Sequence, residues 1–584
     1  MDNQNTEKER LFTGIPASPG IAIGQGYLYA QQEVDIPKHK IQNPGKEKGR
    51  LEDAITQAKE EIQSLHQKTK KEISSEEAEI FAAHEMMLED PMLLEKAERA
   101  IQENEINAES AWMDAVEDFA EQIENLDDEL FSARAADIRD VGKRVLRILM
   151  GVQQESARME EKSIIIARDL TPSDTVLLDK ELVLGFCTAE GGPTSHTAIL
   201  AKALGIPAVV GLGSGILDLP ADAPLIIQGY KGKVIAYPRP ETTQEYQRKL
   251  EETEKRAQLA LEKADQPAVT RDDVRVEVVA NVGSVEDARA ALEYGAEGIG
   301  LLRTEFLYLN RSTAPKEEEQ ETIYKEILEV MGDRPVIVRT LDIGGDKNVP
   351  YLDLGEEMNP FLGWRAIRIF LDNSEYFETQ LRALLKASPG HDLRIMFPMV
   401  STLEEIRKTK KLIKPIEDDL LASGSEIAKD IQYGIMVEVP SVTILADQFA
   451  KEVDFFSIGT NDLTQYTMAA ERTNDKVAHL LDPCHPAILR QIDHVIQAAH
   501  EAGIWVGLCG EMAGDEEAVP ILLGLGLDEF SAAPTLIPRV KEIIRRWTKV
   551  DAEKLARKSI RMASAEEVRN AVREHKPQPS NKKT

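Results

Sequence analysis

The chain has 584 residues, 42% apolar and 29% charged, with a formal net charge of −32. That length exceeds one core and asks for several domains, while the composition excludes fibrous, collagenous or largely disordered material. The negative charge disfavours nucleic acid and anionic lipid as partners and favours encounter with a basic protein.

The N-terminus, "MDNQNTEKERLF", lacks the basic-then-apolar pattern of a secretory signal, and no apolar run of ~18 residues follows anywhere. A cytoplasmic location is expected. "LFTGIPASPGIAIGQGYLYA" (11–30) has short apolar runs broken by Gly and Pro and reads as strand and turn. From about 42 to 148 Gly and Pro are sparse; Leu51, Ile55, Ala58, Ile62 and Leu65 recur at four-three spacing, one apolar stripe on a helix. This predicts a helical bundle or hairpin region rich in Glu.

Between 163 and 238 short β-branched runs alternate with helical stretches, a compact α/β domain to which residues 11–30 can return as extra strands. "TTQEYQRKLEETEKRAQLALEKA" (242–264) is charged nearly all round, which suits an exposed connecting helix and a hinge. From about 270, eight buried strands alternate with helices: "VRVEVVANVG", "GIGLLRTEF", "PVIVRTLDIGG", "LRIMFPMV", "YGIMVEVP", "DFFSIGTNDL", "IWVGLCGE" and "LDEFSAAP". Eight such units in roughly 260 residues predict a (β/α)₈ barrel; an open doubly wound sheet would want a GxGxxG turn, which is missing. The extreme ends, 1–10 and 574–584, are expected to be disordered.

In such a barrel chemistry lies at the C-terminal strand ends. There stand Arg303; Arg339, followed by Asp342, Asp346 and Lys347; and Asn461, Asp462 and Arg472. Guanidinium forks bind phosphate and carboxylate oxygens bidentately, so three arginines at one mouth favour a small substrate carrying both groups. Glu438 and Asp462 end neighbouring strands and suit Mg²⁺, which keeps most of its positions for water and phosphate; the alternative is that Glu438 pairs an arginine of the cluster. Cys509 ends the seventh strand, as a buried structural thiol or as a proton donor. Cys187, Cys484 and His485 read as structural, and the three cysteines form no CxxC, so neither a disulfide framework nor a structural zinc site is supported. In "NPFLGWRAIR" (359–368), Arg365 and Arg368 either shape the mouth or brace it.

In "CTAEGGPTSHTAILAKALGIPAVVG" His196 stands between a Gly-Gly-Pro turn and an apolar helix capped by Thr194 or Ser195. Unsatisfied N–H groups there attract phosphate, and an imidazole at that place is a nucleophile that can carry a phosphoryl group. Its own domain offers no second nucleophile or metal set, so Ser–His–Asp hydrolysis and zinc chemistry find no support. Thr175 either hydrogen-bonds the ring or forms its own turn.

Taken together, "GGPTSHTAILAKALGIPAVVG", "GIGLLRTEFLY", "VRTLDIGGDK", "NPFLGWRAIR", "IMVEVPS", "FFSIGTNDLTQYTMAAER" and "GLCGEMAG" resemble the enzyme I family of the bacterial phosphoenolpyruvate:sugar phosphotransferase system, in the family's order over essentially the whole chain. "AEIFAAHEMMLEDP" and "ARAADIRDVGKRVL" resemble the part that sets this family apart from its relatives. Pyruvate phosphate dikinase and phosphoenolpyruvate synthase share a similar histidine motif and barrel but add an ATP-binding domain, for which this chain has no room. Pro193 departs from the family, where a basic residue is frequent.

The resemblance implies a multidomain α/β fold. Its parts are strands of a phosphohistidine domain (1–32), an inserted helical HPr-binding domain (33–148), the rest of the phosphohistidine domain (149–238), a helical linker (239–268), a TIM barrel that binds phosphoenolpyruvate and dimerises (269–573), and a tail (574–584). It further implies that Arg303, Arg339, Asn461, Asp462 and Arg472 hold phosphoenolpyruvate and that Glu438 and Asp462 hold Mg²⁺. His196 takes the phosphoryl group, Cys509 protonates the enolate to pyruvate, and the phosphocarrier protein HPr receives the phosphoryl group. His84 and Met86 to Glu89 are expected on the docking face for that basic partner, or else in alternate core positions.

Overall fold

The computed structural model describes residues 8–29, 36, 38–72, 75–124, 129–152, 159, 161–192, 195–309, 311, 313–345, 349, 351–352, 355, 357–472, 474 and 476–575; for 70–72, 75–79, 124, 129–134, 176–177 and 203 it describes the backbone alone. The outermost residues of both expected tails, and Pro193, Thr194, Asp346 and Lys347, lie outside these. The chain divides into two compact units, residues 1–254 with 473–476, and residues 255–472 with 477–584.

The first unit opens with β1 (Arg10–Thr13), β2 (Ile15–Ser18) and β3 (Ile21–Leu28). Five helices follow: α1 (Pro44–Glu72), α2 (Ser75–Leu88), α3 (Pro91–Asn104), α4 (Ala108–Glu124) and α5 (Glu129–Leu149). Then come β4 (Ser163–Ala167), α6 (Pro172–Leu177), β5 (Val183–Thr188), α7 (His196–Leu204), β6 (Ala208–Val210), β7 (Pro224–Gln228) and β8 (Lys233–Ala236). All eight strands form one sheet in the order β1-β8-β7-β3-β4-β5-β6-β2, parallel from β3 to β6 and antiparallel elsewhere. The N-terminal strands thus return to both edges and the middle of the sheet, and the helices are an excursion between β3 and β4.

The α1 stripe of Leu51, Ile55, Ala58, Ile62 and Leu65 is buried, as its spacing requires. Trp112 fills the centre of this helical core and donates its indole N–H to Gly142 O at 3.0 Å. A Cβ at Gly142 would stand 2.5 Å from Val116, so the close approach of α4 and α5 needs glycine there. The helix α8 (Pro240–Leu261) runs across the boundary of the two units and is exposed along nearly all its length, with Ala260 buried near its end.

The second unit carries a two-residue strand β9 (Ala268–Val269) and then β10 (Arg275–Val282), β11 (Ile299–Leu302), β12 (Val336–Arg339), β13 (Leu393–Phe397), β14 (Gln432–Val437), β15 (Phe455–Ile458), β16 (Trp505–Leu508) and β17 (Glu529–Ala532). Strands β10 to β17 pair in parallel in sequence order, and β17 and β11 both pair with β10, which closes an eight-stranded barrel. Each predicted strand is present. Alternate residues split between two cores: Val278, Ile435, Phe456 and Phe530 face the helical layer, while Leu301, Ile337, Met396, Met436, Phe455 and Cys509 fill the interior. Toward the N-terminal end of the strands Trp505 stacks on Phe455 with centroids 4.7 Å apart, so the barrel is a packed core open to chemistry at the other end.

Candidate active site

The barrel mouth is a chain of buried ion pairs. Arg339, the last residue of β12, donates to Glu305 Oε1 at 2.5 Å and lies 3.3 Å from Asp342 Oδ2. Asp342 accepts a two-pronged bond from Arg365, at 2.8 and 2.9 Å, and the same guanidinium reaches Asp462 Oδ2 at 3.4 Å. Arg472 approaches Asp462 Oδ1 at 4.0 Å and lies over the Phe361 ring, 5.5 Å from its centroid. Burial works against the charge on Arg339 and Arg365, yet the carboxylates around them hold both guanidinium groups more firmly protonated than usual. Arg303 directly follows β11 and is exposed.

Glu438 directly follows β14, is buried, and its Oε1 accepts the N–H of Met399 at 2.5 Å. Met399 adopts φ +58, a left-handed conformation unusual for a side-chain-bearing residue, and so does Ala366 at φ +53 beside Arg365. Two of the six left-handed residues other than glycine among the described residues thus stand where the mouth's side chains are aimed. Burial, followed by the charges of Asp462 and Asp342, pushes the Glu438 carboxyl up to about 8. Asp462 lies in the first turn of the helix Thr460–Met468, and its Oδ1 has no hydrogen-bond donor among the described residues. Two buried carboxylates that repel each other, one with an unfilled acceptor, are a donor set that fits a hard divalent cation.

Asn461 exchanges bonds with Glu511, donating to its carboxylate at 3.3 Å and accepting its backbone N–H at 3.1 Å. Cys509 follows β16 with its sulfur 3.8 Å from Ile458 O; burial pushes its thiol up to about 11, so it keeps its proton at neutral pH. Cys187 and Cys484 are fully buried, and His485 caps the helix Pro486–Ala502, Nδ1 accepting from Ala487 N at 3.2 Å. The two arginines of "NPFLGWRAIR" divide the roles left open for them: Arg365 enters the ion-pair chain, whereas Arg368 bonds Gly363 O and Ser401 Oγ, both at 2.8 Å, and braces two loops.

Glu305 and Met399 escape the sequence reading. Glu305 sits two residues past Arg303 in "LLRTEF", on the turn whose neighbour was noticed, so its position was a usable signal. A left-handed methionine leaves no mark in the sequence.

In the first unit His196 opens α7, and Ser195 is the cap, its Oγ accepting from Ala198 N at 3.4 Å. The imidazole is 32% exposed, enough for a reactant to reach it. Its Nε2 lies 3.9 Å from Asp137 Oδ1 on α5, a neighbour the sequence reading missed. Asp169 also interacts electrostatically with His196; burial raises its carboxyl, and its Oδ1 accepts from Thr197 Oγ1 at 3.3 Å. Thr175 gives its hydroxyl proton to Pro172 O at 2.7 Å, the turn-forming alternative. His84 is only 1% exposed and lies against Asp137 and Asp140, so it belongs to the interior and not to a docking face. Met86 is 68% exposed, Leu88 is buried, and Glu89 pairs with Lys59 at 2.7 Å, so this stretch alternates between surface and core.

The fold and these side chains define a class: a (β/α)₈ barrel enzyme with an arginine- and carboxylate-lined mouth, attached to an α/β unit that presents a histidine at a helix start. Known proteins agree. Residues 257–549 match the PEP-binding domain of PEP-utilising enzymes, 13–134 their N-terminal domain and 159–232 their mobile domain. The chain is 47% identical over 576 residues to the phosphoenolpyruvate-protein phosphotransferase of Geobacillus stearothermophilus, covering 97% of this chain and 99% of that one. It is likewise 47% identical over 566 residues to that of Bacillus subtilis, covering 96% and 99%. A solution structure of enzyme I (nEIt), 43% identical, covers 42% of this chain and 99% of its own with a TM-score of 0.36. The chain belongs to the PEP-utilising enzymes and, among them, to the phosphoenolpyruvate-protein phosphotransferases. No helix among the described residues is long and apolar enough to cross a membrane.

Proposed function

We propose that the chain transfers the phosphoryl group of phosphoenolpyruvate to its own His196 and then to the histidine of the phosphocarrier protein HPr, releasing pyruvate in the first step of bacterial sugar phosphotransfer. The observation that carries this reading is the end-to-end likeness to phosphoenolpyruvate-protein phosphotransferases. It is supported by His196, partly exposed at a capped helix start, within the stretch that matches a mobile domain.

Arg303, Arg339, Arg472 and Asn461 bind the phosphate and carboxylate of phosphoenolpyruvate. The rigid ion pairs from Glu305 to Asp462 keep these groups oriented before substrate arrives, so little reorganisation remains for the reaction. Glu438 and Asp462 hold Mg²⁺, which neutralises charge on the transferring group when bound. A ring nitrogen of His196 forms the new N–P bond while the bridging P–O bond breaks in line, and the electrons of that bond leave on the enolate of pyruvate. Cys509, still a thiol at neutral pH, gives its proton to the methylene carbon and recovers one from solvent.

HPr docks on the helical excursion α1–α5, where exposed Met86 and Met92 offer adaptable apolar contact and the acidic surface attracts a basic partner. The barrel is the site of dimerisation, and the enzyme works in the cytoplasm. The test is incubation with ³²P-labelled phosphoenolpyruvate and Mg²⁺, with and without HPr. Acid-labile, base-stable label on His196 that moves to HPr is expected; no label without ATP, or full labelling of His196→Ala, overturns the reading.

A further inference from the structure

One carboxylate in the first unit faces two imidazoles. Asp137 Oδ1 is 3.9 Å from His196 Nε2 and 3.5 Å from His84 Nε2, and neither approach has hydrogen-bond geometry. His84 lies edge-on to Phe81, buried, with Nδ1 4.0 Å from Asp140 Oδ2. Asp140 and Asp137 stand one turn apart on α5, so both point to one face. Asp140 Oδ2 also accepts from Ser173 Oγ on α6 at 2.6 Å, and Ser173 accepts from Arg144, which pairs with Glu61 on α1. Among the described residues, charged neighbours of His196 include Asp137 and Asp169, with His84 beside Asp137 and Arg144 reached through Ser173.

Phosphorylation inverts the charge balance here. Before transfer, the carboxylates face an imidazole that bears no negative charge. After it, His196 carries a dianionic phosphoryl group: the N–P bond has formed, the P–O bond of phosphoenolpyruvate has broken, and the enolate has taken a proton to become pyruvate. Whichever ring nitrogen takes the group, Asp137 lies within about one ring's width of it. No backbone movement is needed for this effect, because the charge itself changes.

We infer that Asp137 is a positioning residue that steadies unphosphorylated His196 and destabilises its phosphorylated form, keeping the phosphoryl group ready for onward transfer. The inference rests on His196 being the phosphoryl acceptor. A phosphoryl carrier benefits from such a neighbour, since a group held too tightly would not be handed on.

The readout is the equilibrium of phosphoenzyme with pyruvate. The full chain is mixed with Mg²⁺ and labelled phosphoenolpyruvate at fixed phosphoenolpyruvate:pyruvate ratios, and label on His196 is counted at equilibrium. A residue that only supports the fold acts alike on both states and leaves this constant unchanged. Asp137→Asn is expected to raise it about tenfold, the scale Coulomb's law gives for a charge ~6 Å from a dianion even in a water-like dielectric. Asp137→Glu, which keeps the charge, is expected to stay within about threefold of the parent. Where Asp137→Asn does not fold by circular dichroism, Asp137→Ser is read the same way. A constant within about twofold of the parent for Asp137→Asn, with His196 still labelled, overturns the inference alone. No label on His196 in the parent overturns the proposed function and this inference with it.

Discussion

The two places to which the proposed function assigns phosphate are built on opposite principles. The barrel mouth is over-determined: Arg339, Asp342, Arg365 and Asp462 are all buried and hold one another, and backbone at Met399 and Ala366 sits in the left-handed region to aim them. The histidine layer is sparse: His196 is partly exposed at a helix start, and its charged neighbours stand off at distances too long or too bent for hydrogen bonds. The difference follows from the task. A mouth that recognises a small anion gains from rigidity, because its dipoles are then in place before charge develops. A carrier must surrender its cargo and gains from having few partners that would keep it.

The largest expected effect breaks the rigid side. Asp342 is 1% exposed and accepts both prongs of Arg365 while facing Arg339. Asp342→Ala leaves two buried cations without their shared carboxylate, an error that costs about 3–5 kcal/mol. Denaturant unfolding followed at the barrel's tryptophans is expected to show that loss, together with loss of phosphoenolpyruvate binding, while His196 and its helix keep their NMR signals. A loss below about 1 kcal/mol would mean that the ion-pair chain is not what holds the mouth.

Next comes a buried carboxyl that has no such compensation. Glu529 on β17 faces the barrel interior, its Oε1 has no hydrogen-bond partner among the described residues, and burial pushes it up to about 8, against which Arg394 works. A folded-state value raised from 4.5 means that between 4.5 and about 8 the folded chain keeps a proton the unfolded chain has released. Stability therefore falls as pH rises through that window. Glu529→Gln is expected to flatten this slope and to stabilise the barrel by about 2–4 kcal/mol above pH ~8, with little change near pH ~4. Unfolding curves at the two pH values check it; an equal effect at both would assign the change to packing.

Much of this was legible in the sequence, unevenly. The eight barrel strands stand out because parallel strands buried on both faces are near-continuous apolar runs, and their ends could be read because chemistry in a closed barrel has one address. The helical excursion was legible through the α1 stripe. What stayed hidden is what depends on long-range approach. Asp137 in "ARAADIRDVGKRVL" looks like any surface aspartate of a helix, and only the packing of α5 brings it to His196, 59 positions later in the chain. His84 misled for the same reason: in "AAHEMMLED" polarity suggests surface, but the helix turns that residue inward against two carboxylates.

A smaller effect tests the strained backbone. Met399 at φ +58 directs its N–H onto Glu438. Met399 is buried in the barrel core, so Met399→Gly is expected to cost about 2–5 kcal/mol through the cavity it leaves, while keeping the left-handed backbone without penalty. The β-branched Met399→Val keeps more of the packing but adds about 1–3 kcal/mol of backbone strain. Glu438 is aimed by that amide, so the valine variant is also expected to bind Mg²⁺ more weakly, by calorimetry, than the glycine variant. Equal Mg²⁺ affinity in the two would show that Glu438 finds its orientation without Met399.

The smallest effect belongs to the sparse side and is the most informative about it. Ser195 satisfies one of the orphan N–H groups of α7, at Ala198, at a long 3.4 Å. Ser195→Ala removes that bond and is expected to cost about 1 kcal/mol, while Ser195→Gly costs only a few tenths. Neither change touches charge near the imidazole, so neither is expected to shift the phosphoenzyme equilibrium by more than about twofold, unlike Asp137→Asn. Amide exchange of the first turn of α7 gives the stability and labelled phosphoenolpyruvate gives the equilibrium. If the cap variants moved the equilibrium as far as the charge variant, the helix start itself would be holding the phosphoryl group, and the sparse layer would work by the same preorganisation as the mouth.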